Sequence, residues 1–523
     1  MTGWLPSPEC VYLGVGQPTR WGTIEVLERD DWLDLARKLD WDYSYVDERD
    51  VFPEAVSGSP HLPAEAWSSW DEPFRTSYVE YVTTQAAKEA SVRAVRDVAG
   101  RLDDMRRLPP SWLNAVKLHA ATLPLAEFAA TIGNLRAARF GRDSAWRGTA
   151  LLGALDELRH TQMPLRLMHD LVRLDPQFDF AHRFYHSNNW VAIAARHMFD
   201  ELLLASDPIE FAIGTHFVFE TGFTNLQFVG LSSSANAVGD RMFEKMLTSI
   251  QSDEARHAQI GGPVLERIVA ADPAYAQRVV DKWFWRSSAL FAVVTGFAMD
   301  YLTPVEHRTQ SYKEFVEEWV LDQFDKSLAR YGLARPRHWE AFVASLDHYH
   351  HQVYASAYTY RMSVWFDLVV PGPEDRAWLR RKYPGSWGDF EPVWGRIDEA
   401  WSRADIGNEL AVHGTAIIGF CRLCQLVLCR GTPSRNEACT HVHEGQRFIF
   451  CSEACRDLFV AEPERYAGHR DVVGRVLAGE APGNLAAMLR EYFGLGAAIW
   501  GRDVHAGDYP FLDRPSPPRG GTP

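Results

Sequence analysis

The sequence predicts a mainly α protein: a bundle of long helices with extra helices around it, and a small cysteine-rich module near the C-terminus. Three observations lead there. From residue 76 to about 370 the chain is dominated by Ala, Leu, Glu and Arg, with few strand-like runs. Two segments in that region repeat one pattern, Asp-Glu-x-Arg-His. Six of the seven cysteines crowd into residues 421–455.

Residues 1–75 are rich in Pro and Trp, with turn signals such as Ser57-Gly58-Ser59-Pro60, and are expected to form an irregular arm. The helical domain is expected over 76–405. Breaks fall at Pro109-Pro110, Asp175-Pro176, Asp207-Pro208, Asp272-Pro273 and Pro304, leaving segments of roughly 20–30 residues, the length of bundle helices. The cysteine module is assigned to 406–470. Residues 471–523 are read as a helix followed by a disordered Pro/Gly tail from Arg514 to Pro523.

At 523 residues the chain can bury a large core. Its net charge of −15 argues against a general nucleic-acid binder, which needs Lys and Arg for the phosphates. The first twenty residues lack a secretory signal pattern, and no stretch of about 18 apolar residues offers a membrane span. A cytoplasmic location is expected.

The repeated pattern carries the chemistry. Glu157 and His160 in one copy, and Glu254 and His257 in the other, stand three apart and so share one helix face, where both can reach one metal. A single Glu-x-x-His is weak evidence, since it arises by chance on exposed helices. A ferritin-like two-metal site also needs one Glu from each of two further helices. Glu127 is the only acidic residue between Met105 and Arg142, and Glu220 the only one between Phe211 and Gly239. A carboxylate isolated among apolar neighbours is costly to bury unless it is paired or binds a cation. The order Glu127, Glu157/His160, Glu220, Glu254/His257 therefore reads as two half-sites of one design. Four carboxylates and two imidazoles suit iron or manganese, and oxygen chemistry favours iron. Asp156 and Asp253 are candidate partners for the histidines, and Arg159 and Arg256 candidate counter-charges for the carboxylates.

Around Glu220, Thr224 follows one helical turn later, and Asn225 and Gln251 are further polar candidates. Phe199, Phe219, Phe223 and Phe228 are candidates for an apolar cavity, although phenylalanines at helical spacing are more often plain core. Asp156–Gln162 (DELRHTQ), Tyr185–Trp190 (YHSNNW), Phe219–Asn225 (FETGFTN) and Gln251–Gln259 (QSDEARHAQ) closely resemble the hydroxylase α subunit of bacterial multicomponent di-iron monooxygenases, in the toluene, alkene and isoprene branch. The resemblance runs from Asp71 to Gly385. It implies a ferritin-like core, two irons on the six residues above, and a role for Thr224 in dioxygen activation. It also implies a substrate pocket lined by Leu123, Ala126, Ala130, Phe199, Phe219 and Phe228. The implied partners are β and γ hydroxylase subunits, a small coupling protein, and a ferredoxin or reductase drawing on NADH. Consistent with electrons coming from outside, no Gly-rich dinucleotide fingerprint precedes a helix.

Cys421-x-x-Cys424 and Cys451-x-x-x-Cys455 flank an expected hairpin over His443–Phe450, spacings that suit a closed tetrahedral zinc site. Cys429 and Cys439 are read as spare. The segment resembles the zinc-binding C-terminal module of phenol hydroxylase α subunits, which makes phenol hydroxylation the alternative activity. Rivals fit less well. A radical-generating reductase subunit needs a Tyr where Pro164 stands, and an acyl-carrier desaturase does not explain the cysteines. An iron-storage or scaffold protein has a much shorter chain and needs no Thr224. Because the implied pocket residues offer neither charge nor donor, small alkenes and unsubstituted arenes are expected in preference to phenol.

Overall fold

Asp-Pro steps start two of the described helices. The computed structural model describes residues 76–172, 190–359, 370–392, 417–429 and 439–468, apart from a few single positions, together with isolated ones such as Trp67 and Trp394. The expected arm (1–75) and tail (471–523) lie almost wholly outside the described residues, as do Asp175-Pro176 and residues 185–189 of one quoted match. The helices used below are α1 (Tyr78–Leu102), α2 (Pro110–Phe140), α3 (Ser144–Val172), α4 (Trp190–Phe199), α5 (Pro208–Phe211), α6 (Asn225–Val238), α7 (Arg241–Ala271) and α8 (Pro273–Phe297). Asp207 caps α5 by accepting from the N–H groups of Ile209 and Glu210, with Pro208 in the first turn. Asp272 caps α8 by accepting from Tyr275 N–H, with Pro273 next to it. An N-cap carboxylate satisfies orphan N–H groups, and a proline at the first position loses no helical bond, so these expected breaks are helix starts.

Two segments depart from regular α geometry. Asp200–Ala205 continues α4 as π-helix, and Ala212–Thr224 joins α5 to α6 as a longer π-helical stretch. Glu220 and Thr224 sit on the second of these. Such widened turns recur at functional sites, and nothing in the residue pattern announces them.

Helices α2 and α3 form one antiparallel pair, and the π-helical stretch with α6 packs on α7 to form the other half of the bundle. α1 lies across α7, and α8 backs the π-helical stretch. The core between them is rich in buried aromatics, with Trp112, Trp146 and Trp283 fully enclosed. Among the described residues no single helix is long and apolar enough to cross a membrane.

The C-terminal module consists of the antiparallel pair β1 (Ile417–Phe420) and β2 (Val427–Cys429), the hairpin β3 (Cys439–His443) and β4 (Gln446–Phe450), and helices α9 (Glu453–Ala461) and α10 (Pro463–Tyr466). The hairpin is longer than the expected 443–450, because β3 begins at Cys439. Its turn is Glu444-Gly445, both at positive φ (49° and 78°), as a tight two-residue hairpin turn requires. The module docks on α8. Trp285 Nε1 donates to Cys455 Sγ at 3.3 Å, Arg286 donates to the Leu423 carbonyl at 3.2 Å, and Lys282 pairs with Glu462 at 2.7 Å.

One close approach fixes how α7 packs on the π-helical stretch within the second half of the bundle. A Cβ on Gly261 of α7 would lie 2.6 Å from the Phe217 nitrogen and 2.9 Å from the His216 carbonyl carbon, both backbone atoms of the π-helical stretch. Only glycine permits that contact. At neighbouring Gly262 a Cβ meets only the hydroxyl of Tyr331, at the end of a movable side chain. Gly261→Ala should therefore cost about 1–3 kcal/mol of stability through overpacking, and Gly262→Ala clearly less. Thermal unfolding of the two variants side by side checks this; equal midpoints would refute it.

Candidate metal centre and cavity

The six residues read as ligands come from four helical segments and meet in the bundle interior. Glu127 is on α2, Glu157 and His160 on α3, Glu220 on the π-helical stretch, and Glu254 and His257 on α7. All six are buried. The Nδ1 of His160 lies 3.3 Å from Glu157 Oε2, 3.3 Å from Glu254 Oε1 and 3.7 Å from Glu127 Oε2. The Nδ1 of His257 lies 3.3 Å from Glu157 Oε1, 3.4 Å from Glu254 Oε2 and 3.5 Å from Glu220 Oε2. Glu157 and Glu254 thus present one oxygen to each histidine, while Glu127 and Glu220 each serve one. This arrangement leaves room for two adjacent cations, with Glu157 and Glu254 standing between the two histidines.

The residues fit cations on electrostatic grounds. Among the described residues no Lys or Arg reaches any of the four carboxylates. Both oxygens of Glu157, Oε2 of Glu254 and both histidine Nδ1 atoms are buried without a hydrogen-bond partner. Burial, and then the neighbouring Glu127, push the Glu157 carboxyl well above the usual carboxylate range. Four buried acids with no cationic side chain are prohibitively costly unless protons or metal ions neutralise them.

Behind the histidines the two motifs exchange partners. His160 Nε2 lies 3.2 Å from Asp253 Oδ2, and His257 Nε2 lies 3.3 Å from Asp156 Oδ2, so each aspartate serves the histidine of the other motif. The arginines cross over too. Arg159 donates to Asp253 at 2.8 Å, and Arg256 Nε donates to Asp156 at 3.0 Å. The carboxylates that the arginines balance are thus the aspartates, with Glu89 also taking Arg159 at 2.8 Å, and not the interior glutamates. Holding Nε2–H on a carboxylate leaves each Nδ1 lone pair facing inward, the tautomer that a metal needs.

The sequence reading missed a polar layer from α1. Gln85 Nε2 donates to Asp156 at 2.7 Å and to Asp253 at 2.8 Å, tying the two motifs together. Tyr81 donates its hydroxyl to Asp156 at 2.9 Å, and Lys88 pairs with Asp253. It also missed His216, buried one turn before Glu220, with Nδ1 at 2.6 Å from Glu220 Oε2 and Nε2 at 3.2 Å from Asn134 Oδ1. Burial works against ionisation of Glu220, yet His216 and His257 hold it below the usual carboxylate range. The His-x-x-x-Glu spacing was the available signal.

Beside the carboxylates lies a cavity whose wall includes Leu123, Ala126, Ala130, Phe199, Phe219 and Phe228, together with Thr224, Leu290, Phe291 and Val294. Glu127, Glu220 and Glu254 form its metal-side floor. The wall is less apolar than expected, since Thr122, Thr215 and Gln227 also belong to it. Asn225 and Gln251 do not stand on it. Asn225 begins α6 with a buried, unpartnered Oδ1, and Gln251 is half-buried on α7. Phe223 faces away, into an aromatic cluster with Phe284, Phe291 and Phe342.

In the C-terminal module the sulfurs of Cys421, Cys424, Cys451 and Cys455 converge within 4.8 Å of one another. Cys424 and Cys451 lie 3.7 Å apart and Cys451 and Cys455 3.5 Å apart, with no disulfide among them. Cys439 stands outside this group, and the Cys429 side chain lies outside the described residues.

Fold and site together define a class, a carboxylate-rich helical bundle suited to two neighbouring cations. Residues 41–272 match the family described as Methane/Phenol/Alkene Hydroxylase, and residues 437–470 match the YHS domain. The chain is 38% identical over 492 residues to the alkene monooxygenase oxygenase component subunit alpha of Xanthobacter autotrophicus Py2, spanning 93% of this chain and 98% of that protein. It is 30% identical over 483 residues to the oxygenase component of phenol 2-monooxygenase from Pseudomonas sp. CF600, covering 90% and 91%. The crystal structure of xenon-pressurised phenol hydroxylase from Pseudomonas sp. OX1 superposes with a TM-score of 0.78 at 28% identity, covering 90% of this chain and 96% of that one. The chain belongs to this family of carboxylate-bridged di-iron enzymes, as the hydroxylase α subunit of a multicomponent monooxygenase.

The Gln85 bridge yields a direct test. Gln85→Leu removes one donor from each of two buried aspartates, and an unmade buried hydrogen bond costs about 1–3 kcal/mol. The thermal midpoint should fall accordingly; an unchanged midpoint would show that the bridge carries no weight.

Proposed function

We propose that this chain holds two iron ions on Glu127, Glu157, His160, Glu220, Glu254 and His257, and oxidises small unsaturated molecules, arenes or alkenes, with phenols as the alternative substrate. One atom of dioxygen enters the substrate as a hydroxyl or an epoxide. The other leaves as water, with two electrons and two protons consumed. The observation that carries the reading is the pair of inward-facing Nδ1 atoms, each confronted by three carboxylate oxygens, three of whose glutamates (Glu127, Glu220 and Glu254) also line a largely apolar cavity. Iron bound there supplies the dioxygen chemistry that side chains alone lack.

The protein's own part is to hold, orient and exclude. Asp156 and Asp253 keep the Nε2 protons and so aim the Nδ1 atoms inward. The Thr224 hydroxyl, on the cavity wall one turn beyond Glu220, is the group we assign to handing a proton to oxygen. Phe199, Phe219 and Phe228 keep bulk water from the floor and give a hydrocarbon its binding surface.

We assign electron supply to separate proteins, a reductase or ferredoxin fed by NADH, and regulation to a small coupling protein. Further hydroxylase subunits are supported by an exposed apolar face. Phe128, Ile132 and Leu135 on α2, and Leu151, Leu155, Leu158 and Leu165 on α3, occupy outward stripes that a free surface would fill with polar residues. We read 76–405 as the catalytic body and 406–470 as a module held by a structural zinc on Cys421, Cys424, Cys451 and Cys455, in the cytoplasm.

Metal analysis after anaerobic purification should find two irons and one zinc per chain. Glu157→Ala and His257→Ala should each abolish iron loading, and a well-folded wild-type protein without iron would sink the proposal. Cys421→Ser or Cys455→Ser should lose zinc and thermal stability yet keep iron. Structural zinc contributes on the order of 10 kcal/mol in small peptides, and less here because α8 also grips the module. Full zinc content in both variants would reject that assignment.

A further inference from the structure

Gln227 breaks the apolar wall of the cavity. It lies three residues beyond Thr224 on α6, is buried, and shares the cavity with the carboxylates. Its Nε2 is 3.2 Å from Nε2 of His119, a fully buried histidine on α2. The other ring nitrogen, Nδ1 of His119, is 2.8 Å from the carbonyl oxygen of Ala115. A carbonyl only accepts, so Nδ1 carries the proton. Burial pushes this imidazole down to about 4, leaving it neutral near pH 7 with Nε2 as an acceptor. The Gln227 amide must then present an N–H to His119, and its carbonyl end turns away. Among the described residues nothing donates to that oxygen, and it is not one of the fully enclosed side-chain atoms, so a ligand in the cavity can reach it.

We infer that the Gln227 carbonyl oxygen, locked by His119, accepts a hydrogen bond from a substrate hydroxyl and selects hydroxylated ring substrates over hydrocarbons of the same shape. The inference rests on the oxygenase reading and deepens it, and it reverses the preference expected from the sequence. A site built to bind a hydroxyl rejects the analogue without one, because its own polar group is then left unpaired. The lock adds direction. A phenol O–H donates to the fixed oxygen, whereas the ether oxygen of anisole offers it nothing.

The test uses the iron-loaded hydroxylase in its full complex, with phenol, toluene and anisole. Calorimetry gives each Kd on the resting protein, and turnover gives kcat and KM. Phenol should bind at least tenfold more tightly than toluene or anisole. Gln227→Leu should lower the phenol-to-toluene ratio of kcat/KM at least tenfold, mainly through the KM for phenol. His119→Leu, which frees the amide to rotate, should narrow the difference between phenol and anisole. Equal Kd values for the three ligands on the parent protein would overturn the inference even if neither variant folds. So would a Gln227→Leu enzyme with normal iron content and a ratio within twofold of the parent. Failure of the oxygenase reading looks different: no substrate is oxidised, while the Kd series still reports on Gln227.

Discussion

Four carboxylates are buried in one bundle with no ammonium or guanidinium of the described residues within reach, and much of the surrounding structure answers that constraint. Water cannot solvate them and only imidazoles face them, so protons or bound cations must neutralise the interior. The positive side chains that do lie nearby are kept one shell out, on Asp156 and Asp253. The same two aspartates serve the histidines. Each therefore joins an imidazole to a guanidinium, and the centre keeps its negative charge for metal. Gln85 ties the pair from a separate helix, so a displacement of either motif is felt by the other. Burying so many ionised groups is affordable only as a closed network, in which losing one member strands several others.

The exchange between the two motifs also explains why both copies need every residue. With Asp156 serving His257 and Asp253 serving His160, neither copy can form its ligand half unaided. The half-sites assemble only when α3 and α7 lie face to face. Within the second half, α7 in turn approaches the π-helical stretch at backbone distance at Gly261. Backbone contact there holds Glu220 opposite Glu254 and His257 without long, adaptable side chains between the helices.

The helical bundle, the six interior ligand candidates, the cysteine quartet and six cavity residues were legible in the sequence, because each rests on local spacing or on a family motif. What stayed illegible depends on pairing across elements. Arg159 and Arg256 are placed by sequence beside glutamates, yet a guanidinium tilts toward whichever carboxylate the opposite helix presents, and that is an aspartate. Gln85, His216 and the His119–Gln227 pair sit at ordinary helical positions, with no pattern to mark them before the helices are stacked. Phe223 and Phe219 differ by four residues, one turn of α-helix. On the π-helical stretch their directions diverge, one toward the cavity and one into the aromatic core. Asn225 and Gln251 were drawn toward the cavity by proximity in sequence to Thr224 and Glu254, and helix direction carries them off it.

The cysteine module reaches the cavity through a second buried charge network. Glu201 follows Phe199, a cavity residue, by two positions and accepts from Arg286 at 2.8 Å and from the Tyr466 hydroxyl at 2.7 Å. Burial alone would raise its carboxyl, but Arg286, Lys282 and Arg465 hold it below the usual carboxylate range. Glu210, just ahead of the π-helical stretch, is paired with Lys282 at 2.8 Å and Arg465 at 3.0 Å. Tyr466 and Arg465 belong to the module, and Arg286 stands one turn from Leu290 on the opposite cavity wall. Three cations and three acids, with Glu462 as the third, thus close a network whose members touch both walls and the module at once. The module is in this sense an outer brace for the cavity. Its four converging sulfurs lie against Trp285 of α8, and the network ties the module to Glu201 beside Phe199 and to Glu210 at the start of the stretch bearing Glu220.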